Sequence, residues 1–434
     1  MGMSAPQKRP QSVSAQICQR HIAQDGERMS SLYKALGNKD QLKMVVAGLV
    51  GMSMLGFVYT WSIFLQPIEQ ELGWTRSDVV FTFNLIMMFF PVGIMLAGVL
   101  NKILSLRATY LLAAVCFPAG FFVLSFIDSL MGMYLLCGVV GGIFFGVVYN
   151  IVLYVSNLYF PNNTGVISGL MQASLGVSTL FWGKFAECIL SVASWRVGIR
   201  YMALMIMVMI VLSSVQMRKP KVPSVEAGAT TSSSEVADVH WRQMLREKDF
   251  WLFWITRATI VAGGVGIFGN AVPIAMENGA VVSQAVFALG LMSVSNALGR
   301  LLFGIVWDAL GAKRTIISNC IVFAGSFAAL MLAGHSFAVL LAAFVFCGLS
   351  YGGITVLGVS FNKGYYGVKY FQENYGWTTT ATIVAGFIGP SLLAYYKTNY
   401  GTYASAYYAF LVGALVAMAC ILFLKDKKHG CNQP

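Results

Sequence analysis

The sequence predicts an all-α membrane protein with twelve transmembrane helices, arranged as two six-helix bundles with both termini in the cytoplasm. Composition is the first observation behind this prediction: of 434 residues, 57% are hydrophobic and 11% are charged, and the mean hydropathy is +0.71. A soluble domain is about 25% charged. The second observation is a set of twelve apolar runs, and the third is the distribution of Lys and Arg between them. This composition excludes a disordered chain, a disulfide-stabilised scaffold and a soluble enzyme with one modest core.

Each apolar run has the length of one membrane helix, since roughly 20 apolar residues cross a bilayer. The runs are continuous and lack the alternation of apolar and polar residues that marks a membrane β-barrel. They lie near residues 44–66, 77–100, 109–127, 131–156, 165–190, 198–216, 249–271, 285–307, 314–334, 337–360, 376–396 and 402–424.

Basic residues orient these helices. Of the 29 Lys and Arg residues, 22 fall in segments on the same face as the N-terminus and 4 on the other face. Because segments rich in Lys and Arg stay in the cytoplasm, both termini are expected there. The predicted organisation is a cytoplasmic tail over 1–43, a six-helix bundle over 44–216, a flexible cytoplasmic linker over 217–248, a second bundle over 249–424 and a cytoplasmic tail over 425–434.

The polar residue types that carry catalysis or bind metals are poorly represented in the predicted helices. The eight cysteines show no metal-ligand spacing, and the four histidines lie outside the apolar runs. We therefore expect no cofactor and no metal. The net charge of +12 is explained by the predicted cytoplasmic segments, so nucleic acid is not an expected partner.

The two predicted halves resemble each other in one loop. Repeats of this kind, related by an axis along the membrane normal, are typical of transporters that bind their substrate between the halves. Gly98, Lys102, Ser105, Arg107 and Thr109, between helices 2 and 3, correspond to Gly304, Asp308, Gly311, Lys313 and Thr315, between helices 8 and 9, at a displacement of 206 residues.

Twelve helices, a long central linker and the loop from Gly304 to Arg314 resemble the major facilitator superfamily. In that loop, Gly304 and Gly311 allow close helix packing, and Asp308 can face a helix N-terminus or a basic partner across a gate. The resemblance implies a gating role for these three residues and for Lys313 and Arg314.

The corresponding loop of the first half departs from the superfamily pattern. It carries Asn101 and Lys102 where the superfamily usually has an acidic residue nearby. We therefore expect the first half to lack a charge-based latch.

Within the superfamily, the chain resembles the oxalate/formate antiporter family along nearly its full membrane length. The resemblance implies a carrier of small organic anions in a bacterial plasma membrane. The stretches that carry it are Gly56–Phe64, Gly73–Ser77, Gly146–Asn150, Tyr159–Pro161, Gly165–Leu170, Gly299–Arg300, Asn374–Gly376 and Gly386–Pro390.

Arg300 is the leading candidate for substrate binding. It precedes Asp308 by eight residues, which is about 12 Å along a helix and places it near the membrane midplane. An ionisable residue at that depth costs roughly 2.5–3.5 kcal/mol on insertion, and its planar guanidinium can bind a carboxylate through two hydrogen bonds. The alternative is a salt bridge within the bundle, but no acidic residue lies at a comparable depth. In the resembled family the matching arginine binds the anion.

Arg257 and Lys184 are the other basic residues inside apolar runs. Arg257, about eight residues into helix 7, is expected to snorkel to the cytoplasmic surface or to act at the gate, in preference to serving as a second cation in the cavity. Lys184 precedes Glu187 by three residues, so a local helical ion pair is expected in preference to substrate contact.

One position in helix 11 bears on the choice of substrate. Oxalate-transporting members of the resembled family carry a lysine a few residues after the Asn374–Gly376 triplet, and Thr382 stands at that position here. Because two cations suit a dicarboxylate and one suits a monocarboxylate, pyruvate, lactate or formate is favoured over oxalate, unless Arg257 replaces the missing lysine.

Six polar or aromatic residues lie in the middle of helices 1, 4, 5, 8 and 10. They are candidates for the wall of a small-anion cavity, where aromatic rings enclose the ligand and polar tips orient it. The alternative is hydrogen bonding between helices. These residues are Tyr59, Trp61, Tyr149, Gln172, Asn296 and Tyr351, and Thr382 completes the candidate set.

The sequence thus favours a secondary transporter that moves a small organic anion by alternating access, acting in the lipid bilayer as a monomer. Buried carboxylates suited to a proton relay are missing from the central runs, which favours exchange or uniport. An oxalate or dicarboxylate exchanger is one alternative. A drug or metabolite efflux carrier typically uses buried acidic residues, and a membrane sensor would need a sizeable soluble domain. An integral-membrane enzyme would need a buried catalytic or metal cluster.

Overall fold

The computed structural model describes residues 39–161, 163–220, 238–334 and 336–425. Within these ranges the chain is helical and contains no β-strand, and twelve helices are long and apolar enough to cross a membrane. The predicted all-α fold with twelve transmembrane helices is therefore confirmed. Residues 1–38 of the predicted N-terminal tail (1–43), residues 426–434 of the predicted C-terminal tail (425–434) and residues 221–237 of the predicted linker (217–248) lie outside the described residues.

The twelve helices are numbered α1–α12 in chain order. Their bounds are α1 Lys39–Leu72, α2 Arg76–Ile103, α3 Leu106–Leu124, α4 Leu130–Tyr159, α5 Thr164–Leu190, α6 Trp195–Gln216, α7 Lys248–Glu277, α8 Val282–Leu310, α9 Ala312–Leu332, α10 Phe337–Tyr366, α11 Phe371–Tyr400 and α12 Ala404–Leu422.

Several helices extend beyond the apolar runs that predicted them. The first begins at Lys39 instead of residue 44, and its first turn contains Asp40. The negative charge of Asp40 is favourable there, because the N-terminus is the positive end of the helix dipole. A short helix over Trp241–Met244 lies within the predicted flexible linker. Hydropathy detects the apolar part of a helix, so polar terminal turns of this kind escape it.

Local sequence explains where helices begin. Thr75 and Asp78 form a reciprocal capping box at the start of α2, in which the Thr75 Oγ1 accepts from the Asp78 amide at 3.3 Å. At the start of α3, the Ser105 Oγ accepts from the Ala108 amide at 3.2 Å.

Three of the long helices change their winding within their length. A 3₁₀ turn over Gly56–Thr60 interrupts α1, a π-helical turn over Tyr134–Val140 interrupts α4, and α11 is divided between Thr379 and Ala381. Such departures from α-helical winding often mark functional positions.

The two most extensive crossings between α1–α6 and α7–α12 in the described structure are those of α5 with α8 and of α2 with α11. At the crossing of α5 and α8, glycines face each other: a Cβ on Gly165 would collide with the Gly304 carbonyl, and a Cβ on Gly169 would lie 2.5 Å from the Arg300 carbonyl. At the crossing of α2 and α11, a Cβ on Gly98 would lie 2.7 Å from the Glu373 side chain. Small residues therefore let the backbones approach closely at both crossings.

One end of the molecule is called the linker face. It contains the α2–α3 turn at Leu104 and Ser105, the α10–α11 turn at Lys369, and the residue Lys219, which precedes the linker. Asp238, which follows the linker, also lies there, since its Oδ1 accepts from the Lys369 amide at 3.1 Å.

Candidate functional site

Arg300 lies on α8 where this helix crosses α5. Its Nη1 donates to the Gln172 carbonyl of α5 at 2.5 Å. Gly176, one turn further along α5, lies beside the guanidinium, and a Cβ there would make an ordinary van der Waals contact with Nη1 at 3.7 Å. The Arg300 Nε is buried and has no hydrogen-bond partner within the described part of the chain. The guanidinium is thus held between the two groups of six helices and keeps donor capacity for a ligand.

Arg257 lies on α7 and is 3% exposed. Its Nη1 donates to the Ile354 carbonyl of α10 at 3.0 Å, and Gly358 of α10 leaves the space that the guanidinium fills. The Arg257 Nε also lacks a hydrogen-bond partner among the residues described. The expectation that Arg257 snorkels to the cytoplasmic surface is wrong, because the side chain turns inward and bonds a neighbouring helix.

Two tyrosines lie near both arginines, and a third lies near Arg300 alone. The hydroxyls of Tyr59, Tyr149 and Tyr351 all lie close enough to Arg300 for electrostatic interaction, and those of Tyr149 and Tyr351 also interact with Arg257. In the described residues, no carboxylate acts on these three hydroxyls. The structure therefore brings together five of the predicted site residues, from α1, α4, α7, α8 and α10, in one basic and aromatic region that is called the central region.

Tyr375 joins this region and was not among the predicted site residues. Its ring stacks on that of Tyr149 with centroids 6.5 Å apart, and the two hydroxyl oxygens are 3.5 Å apart. The Asn374–Gly376 triplet had been noted as a motif of the resembled family. That motif was the available signal, but one sequence does not reveal that α11 meets α4 here.

The remaining predicted binding residues have different surroundings. Gln172 is fully buried, and neither side-chain polar atom has a partner in the described ranges. Trp61 donates from Nε1 to the Val79 carbonyl at 3.0 Å, and Asn296 donates to the Gly348 carbonyl at 3.5 Å. Thr382 is half-buried on α11. Trp61 and Asn296 thus make the contacts between helices that were the alternative to ligand contact.

The predicted gate residue Asp308 reaches from α8 to the N-terminus of α5. Its Oδ1 accepts from the Gly165 amide at 3.0 Å, and its Oδ2 accepts from the Val166 amide at 2.9 Å. The close approach of Gly304 to Gly165 positions this carboxylate. A negative charge at a helix N-terminus is favourable, so the contact stabilises the packing of α8 against α5.

The other residues of the predicted gate loop contact their own half of the chain. Gly311 has φ +78°, a conformation that favours glycine, and it forms the turn between α8 and α9. Lys313 donates from Nζ to the Leu422 carbonyl at 2.8 Å, at the end of α12. Arg314 is exposed.

The expectation that the first half lacks a charge-based latch is wrong. Lys102 of α2 forms an ion pair with Glu373 of α11, and the neighbouring Asn101 donates to the Gln372 Oε1 at 2.9 Å. The polarity is reversed: the basic residue lies on the first-half loop and the acidic residue on the helix opposite. His240 Nε2 lies 3.8 Å from the second oxygen of Glu373. Lys102 and Glu373 therefore join the two halves at the linker face.

Lys184 and Glu187 form the local ion pair that the sequence predicts. The Lys184 Nζ is 2.7 Å from the Glu187 Oε2, and both side chains are exposed.

Twelve membrane-length helices in this arrangement define a multi-pass membrane transporter. The family model described as Major Facilitator Superfamily matches residues 46–277 and 257–433, and the chain belongs to this superfamily. The solved structures that it resembles agree on the fold. The outward conformation of the transporter FucP aligns at a TM-score of 0.63 and 12% identity, covering 90% of this chain and 100% of that one. The proton:xylose symporter XylE aligns at 0.65 and 13% identity, covering 89% and 96%.

Sequence relatives are also transporters and not enzymes. The oxalate:formate antiporter of Oxalobacter formigenes is 24% identical over 394 residues, which is 90% of this chain and 92% of the relative. The MFS-type transporter YhjX of Escherichia coli K12 is 25% identical over 74% of this chain and 80% of its own. Monocarboxylate transporter 2 of Rattus norvegicus is 20% identical over 85% and 80%, respectively. The predicted resemblance to the oxalate/formate antiporter family is confirmed.

Proposed function

We propose that this protein is a secondary carrier that exchanges small organic carboxylates across the plasma membrane by alternating access. The observation that carries the proposal is the central region, in which Arg300 and Arg257 both interact electrostatically with the hydroxyls of Tyr149 and Tyr351. Arg257 is buried and Arg300 is partly buried, and neither has a carboxylate partner in the described ranges. Such an arrangement favours an anionic ligand, since unpaired charge is costly to bury.

The two arginines support a dicarboxylate, such as oxalate, as the better-matched substrate. Thr382 favoured a monocarboxylate only as long as Arg257 pointed away from the cavity. Arg257 is buried and acts on Tyr149 and Tyr351 together with Arg300, so a second cation is available without the helix 11 lysine. A dianion would neutralise both guanidinium groups, whereas a monoanion would leave one positive charge. The name of the Oxalobacter formigenes relative includes oxalate as well as formate.

A monocarboxylate carrier is the second candidate function. Thr382 supports it, and one of the relatives is a monocarboxylate transporter. A monocarboxylate would occupy Arg300 alone, leaving Arg257 bonded to the Ile354 carbonyl.

The same charge argument favours exchange over uniport. An empty carrier would have to reorient with two uncompensated cations in the membrane, while a loaded carrier would be close to neutral. Reorientation is therefore expected to be fast when substrate is bound. In this proposal the linker face is cytoplasmic, as the distribution of Lys and Arg favours.

Exchange assays in proteoliposomes test the proposal. Vesicles containing the full chain and unlabelled oxalate, formate or pyruvate would be assayed for uptake of the same labelled anion, beside Arg300→Gln and Arg257→Gln. Lys184→Gln is the matched control, since it removes an exposed cation of α5, the helix that Arg300 contacts. We expect oxalate exchange that Arg300→Gln abolishes and Arg257→Gln reduces at least tenfold.

The outcomes separate the candidates. Exchange of formate or pyruvate that survives Arg257→Gln would favour the monocarboxylate carrier. If both arginine variants transport as fast as the Lys184→Gln control, the arginines do not bind the substrate. If the folded protein transports none of the anions, the proposed function is contradicted.

A further inference from the structure

A cavity of about 490 Å³ opens at the linker face, away from the central region. Five basic residues line it, and they come from both groups of helices. Lys102 and Arg107 belong to the α2–α3 region, Arg218 and Lys219 follow α6, and Lys369 precedes α11. This volume is within the range of about 300–1,000 Å³ that small-molecule sites occupy.

Within the described residues, most of this positive charge has no acidic partner. Lys102 pairs with Glu373, the acidic residue of the cavity wall, but in the described part of the chain none of the other four cations forms an ion pair. Asp238 lies nearby, and its Oδ1 accepts from the amides of Val368 and Lys369, each at 3.1 Å. Counted over the residues that the structure describes, the cavity wall therefore has a net positive charge, and its concave shape concentrates the field of that charge on one volume.

Two further features supply hydrogen-bond donors to an anion. Ser105 and Leu106 line the cavity at the N-terminus of α3, the positive end of that helix dipole. Gln372 also lines it and is 8% exposed; its Oε1 accepts from Asn101, while its Nε2 has no partner among the residues described.

We propose that this cavity binds a phosphate-bearing anion, either the headgroup of an anionic lipid or a soluble phosphate compound. Inorganic phosphate and phosphate monoesters carry about two negative charges, and the phosphodiester of an anionic lipid headgroup carries one. Each presents strong acceptor oxygens that can accept from separated Arg and Lys donors. An anion held between Arg107 and Arg218 on one side and Lys369 on the other would join the two groups of helices. Its binding stabilises the closed linker face. The inference does not depend on the proposed transport substrate.

Thermal unfolding of the purified full chain in neutral detergent tests this site. Inorganic phosphate is titrated against chloride at matched ionic strength, and phosphatidylglycerol is titrated against phosphatidylcholine. We expect at least one of the two probes to raise the Tm. The single variants Arg107→Gln and Lys369→Gln are expected to need roughly tenfold more probe for the same shift, the loss of about one hydrogen bond to a charged group. The combined variant Arg107→Gln, Arg218→Gln and Lys369→Gln is expected to lose the shift.

Two control variants locate the effect. Arg246→Gln removes an exposed cation that does not line the cavity, and Arg300→Gln removes the central cation. Both are expected to keep the full response to the probe, even if Arg300→Gln abolishes transport. A response to inorganic phosphate assigns a soluble source, and a response to phosphatidylglycerol alone assigns the lipid. No response to either probe, or an equal response in the combined variant, would overturn the proposal.

Discussion

Asp308 and Lys363 bind opposite ends of the same loop. Asp308 accepts hydrogen bonds from the amides of Gly165 and Val166 at the start of α5, and the Lys363 Nζ donates to the Pro161 carbonyl at 3.0 Å, just after α4. The acidic residue thus lies at a helix N-terminus and the basic residue close to a helix C-terminus, the arrangement that both helix dipoles favour. Both side chains belong to α7–α12, and the loop belongs to α1–α6, so these contacts join the two groups of helices.

Removing the charge of Asp308 is expected to open the linker face. The Asp308 carboxylate accepts hydrogen bonds at the start of α5, and we expect its charge to favour the closed state by about 1 to 2 kcal/mol. Asp308→Asn removes that charge. Spin labels would be placed at two exposed positions, Ile103 in α2 and Arg246 just before α7, in a background without the eight native cysteines. The distance between the labels would be measured by electron paramagnetic resonance. A longer mean distance is expected. Lys313→Gln is the control, because Lys313 bonds only within α7–α12 in the described structure. An unchanged distance in Asp308→Asn would contradict the gate role.

The reversed latch can be tested by exchanging its charges. Lys102→Glu places two acidic residues together, and Glu373→Lys places two basic residues together, so each variant is expected to lower the Tm. The double variant restores an ion pair and is expected to recover stability, with a coupling energy of roughly 1 kcal/mol because more than half of the Lys102 side chain is in solvent. If the losses of stability in the two single variants simply add in the double variant, the ion pair does not contribute to stability.

Glycine packing between α5 and α8 gives a prediction with a control in the same helix. Gly304→Ala places a Cβ against the Gly165 carbonyl, whereas the Cβ of Gly290→Ala meets nothing within 4 Å. We expect Gly304→Ala to lower stability by about 1 to 3 kcal/mol and to impair transport, since the helices must separate. Gly290→Ala is expected to remain close to wild type in the same unfolding and exchange assays. A similar response of both variants would mean that the close approach is not required.

Sequence alone predicted the fold well because each helix leaves its own local pattern. A run of about 20 apolar residues is sufficient to identify a membrane helix, and all twelve runs correspond to helices. The errors lie at helix ends, where polar turns such as the one at Lys39 extend the helix beyond its apolar part.

The candidate site was predicted less completely, because its contacts join residues distant in sequence. The depth of Arg257 in α7 left open whether its side chain points to the surface or to α10, which depends on the space beside Gly358. The pairing of Lys102 with Glu373 spans two helices from different halves, and neither residue indicates the other in one sequence. Only Lys184 and Glu187, three residues apart, could be paired from spacing alone.

Tyr59 and Trp61, two aromatic residues of α1, are expected to have different roles, Tyr59 in substrate binding and Trp61 in helix packing. Tyr59 is 42% exposed and its hydroxyl acts on Arg300, whereas Trp61 is 3% exposed and bonds the Val79 carbonyl. Tyr59→Phe is therefore expected to raise the KM for the transported anion about tenfold or less, the loss of one hydrogen bond, without changing the Tm. Trp61→Phe is expected to lower stability by about 1 kcal/mol through a lost buried hydrogen bond and to leave the KM unchanged. Exchange kinetics and thermal unfolding of both variants distinguish the roles. An increased KM in Trp61→Phe with an unchanged KM in Tyr59→Phe would reverse the assignment, because substrate would then meet α1 on its opposite face.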